Sequence, residues 1–209
     1  MSTLLKIDVS TRGSLSISRQ LSSRFVEQWK KGNSAGKVIE RDIATTELPF
    51  LELPWIAANF SKASARTDEQ SVLLKFSDDL VAELQQADHY LIATPMYNFG
   101  IPAKLKAYVD HVVRAGITFR TNADGSYTGL LTGKKATVII ASAGEYTPGE
   151  PAEGLDTLKP YLHEILGFIG VIDVTFLQSG STWKVDNGSE TADAHIAPLN
   201  EQLMAAASA

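Results

Sequence analysis

The 209-residue chain contains no cysteine. That absence excludes disulfides, thiolate nucleophiles, iron–sulfur clusters and cysteine-ligated zinc, so any redox chemistry has to come from a bound cofactor. Long apolar runs are missing too: none approaches the roughly 18 residues of a spanning helix. The opening Met1-Ser2-Thr3-Leu4-Leu5-Lys6-Ile7-Asp8 sets a lysine and an aspartate where a secretory signal needs unbroken apolar sequence. The expectation is a soluble, cytoplasmic protein without a membrane partner. Basic side chains are in deficit, 19 against 24 acidic for a net charge of −5, which disfavours a nucleic-acid partner. Histidine is sparse, and His89, His111, His163 and His195 lie on separate elements without H-x-x-x-H spacing, so no metal site is expected. With 44% apolar and 21% charged residues, the chain suits one domain over residues 1–209 with a sizeable core.

What is present is an alternation of two periodicities. Short apolar runs at Leu4–Val9, Val38–Ile39, Tyr90–Ala93, Ala136–Ala141 and Val171–Leu177 predict five strands. Helical spacing follows each of them. Leu21, Phe25, Val26 and Trp29 recur at intervals of three and four up to Gly32, and Thr67-Asp68-Glu69-Gln70 fits a capping box ahead of Leu73, Phe76, Leu80, Leu84 and Ala87. Further helices are expected at Pro102–Val113, around Pro160–Ile169 and at Thr191–Ala206, while the stretch through Pro49, Pro54 and Trp55 shows no regular pattern. Five βα units predict an α/β fold, a five-stranded parallel sheet with helices on both faces. Ligands of such sheets sit beyond the strand carboxyl ends where strand order reverses.

Three loops lie there. The first carries Ser10, Thr11, Ser14, Ser16 and Ser18 directly before a helix N-terminus, where free N–H groups and the positive dipole end favour an anion. It lacks both G-x-x-x-x-G-K-[ST] and G-x-G-x-x-G, which points to a phosphate monoester rather than a triphosphate or a dinucleotide; a plain Ser-rich turn with an N-cap reads equally well. The loop after the third strand, Thr94-Pro95-Met96-Tyr97-Asn98-Phe99-Gly100-Ile101-Pro102, is apolar and stiffened by two prolines. It suits a platform for a flat aromatic ligand such as an isoalloxazine, unless Tyr97 and Phe99 fold back into the core. After the fourth strand, Ser142-Ala143-Gly144-Glu145 offers a glycine for close approach. Phosphate cradle, aromatic platform and close-approach loop together match a flavin mononucleotide site.

The same residues carry a resemblance that covers nearly the whole chain. Met96-Tyr97-Asn98-Phe99, Ile101 to Asp110, Arg114-Ala115-Gly116-Ile117-Thr118-Phe119-Arg120, Pro160-Tyr161-Leu162 and Leu166 to Gly170 resemble the FMN-dependent NADH:quinone oxidoreductases, also called bacterial azoreductases. The resemblance implies a flavodoxin-like fold, a homodimer with FMN at the subunit interface, and use of NADH or NADPH to reduce quinones and aromatic azo compounds by a two-step exchange through tightly bound FMN. It assigns phosphate binding to Ser10, Ser16, Ile17 and Ser18, ring binding to Met96, Tyr97, Asn98, Phe99, Ser142, Ala143, Gly144 and Glu145, and a wall of the acceptor pocket to Phe119. Three positions, Ala143, Glu145 and Thr121, depart from the family pattern. Ser142-Ala143-Gly144-Glu145 stands where Ser-Arg-Gly-Gly is common, and Thr121 replaces the aromatic that often follows Phe-Arg.

Two other readings are weaker. Gly32-Asn33-Ser34-Ala35-Gly36 matches the G-x-S-x-G nucleophile elbow, but it follows a helix and precedes a strand, the reverse of what an elbow needs. A flavodoxin-type electron carrier, binding FMN without turning over a substrate of its own, is the alternative within the fold.

Overall fold

The computed structural model describes residues 2–208. Its first strand, β1 (Thr3–Asp8), runs into the serine-rich loop and then α1 (Ile17–Gly32); β2 (Lys37–Asp42), α2 (Leu53–Phe60) and α3 (Asp68–Gln86) follow. Next come β3 (His89–Pro95), α4 (Ala103–Val112), the short strands β4 (Phe119–Thr121) and β5 (Tyr127–Gly129), and β6 (Lys135–Ala141). The chain closes with α5 (Leu158–Phe168), β7 (Asp173–Ser179), α6 (Trp183–Asp186), α7 (Ala192–Ile196) and α8 (Asn200–Ser208).

Five strands form a parallel sheet in the order β2-β1-β3-β6-β7, as the alternating pattern predicts. Because both faces are covered, the central strands bury consecutive residues: Leu4 with Leu5, and all of His89–Thr94. One face packs Leu5, Ile7, Tyr90, Val138 and Ile140 under α3, α4 and α5; the other packs Leu4, Leu91 and Ile139 under Leu21, Phe25 and Trp29 of α1 and Leu203 of α8. The edge strand β2 tolerates Lys37, Glu40, Arg41 and Asp42, since only one side of it meets a neighbour. β4 and β5 form a separate antiparallel hairpin, turned at Asp124-Gly125 with Gly125 at φ +84°, the tight turn that dipeptide favours.

Several elements differ from expectation. The capping box forms, with Thr67 Oγ1 accepting from Gln70 N and Gln70 Oε1 from Thr67 N, yet α3 buries Leu74, Ser77, Leu80, Val81 and Leu84 while Leu73 is left 44% exposed. The buried stripe is shifted one residue because α2, which the sequence pattern does not announce, packs against α3. Arg114, fully buried, ties them together: its Nε donates to Asn59, its Nη1 to Ser77 and Asp78, and its guanidinium lies over the Trp55 ring. The expected helix at Thr191–Ala206 is divided into α7, a short 3-10 turn and α8, because Pro198 has no N–H for a continuous ladder. No helix among the described residues is long and apolar enough to cross a membrane.

Candidate active site

The strand order reverses between β1 and β3, and a cleft of about 220 Å³ opens at their carboxyl ends. Ser10, Ser16 and Ile17 form one side, Pro95, Met96 and Tyr97 another, and Ala141 with Ala143 a third. All three loops singled out in the sequence therefore meet at one place.

The first loop is built around α1. Ser16 is the N-cap, its Oγ accepting from Arg19 N at 3.4 Å and lying 3.1 Å from the Ser18 hydroxyl. Ser10, Ser16 and Ser18 are buried at 1%, 4% and 0% exposure, and Ser10 and Ser16 line the cleft. Of the first-turn N–H groups of α1, Arg19 N is taken by Ser16 Oγ, while those of Ile17 and Ser18 have no acceptor among the described residues. Arg19 props the loop from behind: its Nε donates to the Ser10 carbonyl at 2.7 Å, while its Nη groups meet Asp8 and Asp42. That partnership with Asp42 raises the Arg19 pKa. Ser22 Oγ adds a 2.9 Å bond to Asp8, so the buried carboxylate at the end of β1 is fully engaged.

The second loop is a tight turn. Tyr97 and Gly100 exchange backbone hydrogen bonds of 3.1 and 3.0 Å, and the two residues between them, Asn98 and Phe99, take left-handed φ values of 48° and 68°. Non-glycine residues adopt such angles at a cost, and here neighbours hold them: Met96 N donates to Ala141 O, and Phe99 O accepts from both Thr157 N and Thr157 Oγ1. The Asn98 and Phe99 N–H groups have no acceptor among the described residues. Tyr97 and Phe99 are 45% and 44% exposed, so neither has folded into the core, and Phe99 meets Tyr146 edge-on at 6.1 Å.

In the third loop, Ser142 Oγ donates to Gly144 O at 2.9 Å, and Ala143 lines the cleft. A Cβ on Gly144 would sit 2.8 Å from the Tyr146 hydroxyl, so glycine is what lets the loop close. Glu145 turns away from the cleft. Its Oε1 accepts from Thr147 Oγ1, and its carboxylate lies over Gly180, where a Cβ would come within 2.2 Å of Oε2. Phe119 also stands apart from the cleft lining, packed with Phe168 at 4.6 Å and with Tyr127.

Three cleft residues escaped the sequence reading: Arg12, Thr182 and Asp186. Arg12 Nη1 and Nη2 donate to the two Asp186 oxygens at 3.0 and 2.6 Å, and the guanidinium holds that carboxyl below the usual range. The serine elbow motif sits in the α1–β2 turn at the opposite end of the sheet, as its context implied.

Similarity to known proteins agrees with this geometry. A family model for the flavodoxin-like fold matches residues 2–203. The chain is 45% identical to FMN-dependent NADH:quinone oxidoreductase 2 of Jannaschia sp. (strain CCS1), covering 99% of this chain and 100% of that protein. It is also 45% identical to FMN-dependent NADH:quinone oxidoreductase 8 of Burkholderia lata, over 90% of this chain and 88% of that one. Among solved structures, the azoreductase from Bacillus anthracis str. Sterne superposes with a TM-score of 0.87 at 25% identity, covering 100% and 99% of the two chains. The chain belongs to the flavodoxin-like family of FMN-dependent NADH:quinone oxidoreductases.

Proposed function

We propose that the protein is an FMN-dependent oxidoreductase that uses NADH, or NADPH, to reduce quinones and to cleave aromatic azo compounds. One observation carries the reading: at the β1/β3 switch, a helix N-terminus rich in serine lies beside a half-exposed aromatic turn whose N–H groups are unspent. The residues fit FMN part by part. Ser10, Ser16, Ile17 and Ser18 would hold the phosphate, Met96, Tyr97, Asn98 and Phe99 the flavin ring, and Ser142, Ala143 and Gly144 its other edge, with Glu145 anchoring that last loop on Gly180. Held there, FMN would supply the two-electron chemistry between nicotinamide and acceptor. The protein's part is positioning, and it needs no side-chain nucleophile. The unspent N–H groups of Asn98 and Phe99 would steady charge on the ring, and the Glu145 carboxylate, engaged by Thr147, would be held off from that charge. Phe119, within its cluster with Phe168 and Tyr127, is the proposed wall of the acceptor pocket.

The whole chain would act as one flavin-binding domain, in the cytoplasm where reduced nicotinamide is supplied, and as a homodimer. Phe50, Leu53, Phe60 and Val72 are 80%, 77%, 76% and 74% exposed, on or beside α2 and the start of α3, which pack on each other; apolar exposure on that scale suits a covered face. Sedimentation of the purified protein tests this, and a monomer would remove the dimer from the reading.

The decisive experiment is to purify the protein, record its absorbance, identify any released chromophore and follow NADH oxidation with and without a simple benzoquinone. A yellow protein releasing FMN, with quinone-dependent turnover and parallel double-reciprocal lines, is expected. A requirement for a separate reductase would convert the reading to an electron carrier. A colourless protein that neither takes up FMN nor oxidises NADH would overturn it.

A further inference from the structure

The cleft is lined by one cation and one anion, and they are bonded to each other. Arg12 rises from the first loop, and its two Nη groups meet both oxygens of Asp186 at the end of α6. This end-on contact leaves the Arg12 Nε–H, and the outer N–H hydrogens beside it, without a partner among the described residues. A free side-on edge of a guanidinium is the geometry that grips a phosphate. Asp186, by contrast, cannot follow the arginine. Its helix is wired to the third loop, with Ser181 N on Gly144 O, and with Thr182 N and Oγ1 both on Ser142 O. Those bonds keep the carboxylate at the cleft whatever Arg12 does.

The electrostatics follow from this arrangement. A phosphate monoester carries a charge of about −1.5 to −2 at neutral pH, and α1 offers it roughly half a positive charge at its N-terminus. Arg12 is the one full positive charge on the lining, and Asp186 cancels it. We propose that Arg12 is the charge partner of the flavin's phosphate and that Asp186 is its resident competitor, so that this pair sets how tightly phosphorylated flavin is held and how strongly it is preferred over unphosphorylated flavin. The inference rests on the FMN reading of the cleft and adds to it the residues that tune affinity. At 46% and 43% side-chain exposure the pair is screened, so its influence fades as salt rises.

The test is equilibrium titration of the full chain, dialysed free of flavin, with FMN and with riboflavin, read by flavin fluorescence at low and high salt. Arg12→Gln is expected to weaken FMN binding about tenfold, Asp186→Asn to tighten it several-fold with a steeper salt dependence, and Arg12→Lys to restore part of the loss, while riboflavin binding stays level throughout. Opposite signs for the two neutralising variants are the signature. If both variants weaken FMN, or if riboflavin shifts as much as FMN, the pair only fastens α6 to the first loop and the proposal is wrong. Wild-type protein that binds neither flavin would overturn the flavin reading itself. Wild-type protein that binds FMN with an affinity indifferent to both variants would overturn this inference alone.

Discussion

The two ends of the sheet make opposite use of the same strands. At the amino end lies a larger cavity, about 580 Å³, lined among others by Trp29, Asn33, Asp88, His89, Lys134 and Lys135; the carboxyl-end cleft has about 220 Å³. Several of the polar groups in the larger one are already engaged in holding the fold. Asp88 already accepts from Thr3 N at 2.8 Å, and Lys134 Nζ caps the end of α3 on the carbonyls of Gln85 and Ala87. At the carboxyl end a helix N-terminus, a strained turn and one guanidinium edge still have hydrogen bonds to give. The gathering of three loops and a helix N-terminus, rather than volume, sets the carboxyl-end cleft apart as the proposed binding site.

Charge inserted at one end and bulk inserted at the other break this comparison most directly. Ser16→Asp retains an N-cap acceptor but sets a carboxylate beside the proposed phosphate position, so FMN affinity is expected to fall by about a hundredfold or more while the flavin-free chain still melts cooperatively. Flavin titration beside a thermal melt reads both. Gly129→Ala acts at the other end, where β5 abuts the turn into β7: its Cβ would meet Gly170 N at 2.1 Å and Ile169 C at 2.4 Å, both backbone. A loss of about 3 kcal/mol in denaturant unfolding is expected.

A pH series sharpens the contrast. Burial, with Lys135 adding repulsion, pushes the His89 imidazole down to about 4, so the folded protein holds it neutral. The unfolded chain takes up that proton near 6.5. Stability is therefore complete above pH 6.5 and declines as pH falls toward 4. His89→Gln, which can keep the bond to Thr137, should flatten the fall in melting temperature between pH 7.5 and 5 without altering FMN affinity. Part of the slope would persist, since burial lowers His111 as well. The smallest effect is expected for Lys134→Met, which removes a cap worth about 1 kcal/mol and should leave flavin titrations within twofold.

The alternation of elements and the three loops were legible because each depends on local pattern: period, cap and turn residues. Failures arose where tertiary packing decides. α2 hides because Leu53, Trp55, Ile56, Ala57, Ala58 and Phe60 are apolar all round, leaving no polar face to reveal a helical period. Leu73 and Leu74 are adjacent and alike, and only the position of α2 selects which one is buried. Arg12 and Asp186 are 174 residues apart, so no spacing rule joins them. Glu145 lies over Gly180, whose missing Cβ leaves room for the carboxylate, and that neighbour is further along the chain, on a different strand end.

Asn98 and Phe99 stand in left-handed conformations held by the backbone exchange between Tyr97 and Gly100, each at a cost on the order of 1 kcal/mol. That cost is charged to folding, and the entropy of ordering the turn is settled with it. A ligand that meets a turn held in this way has less ordering entropy to supply and keeps more of its contact energy as affinity.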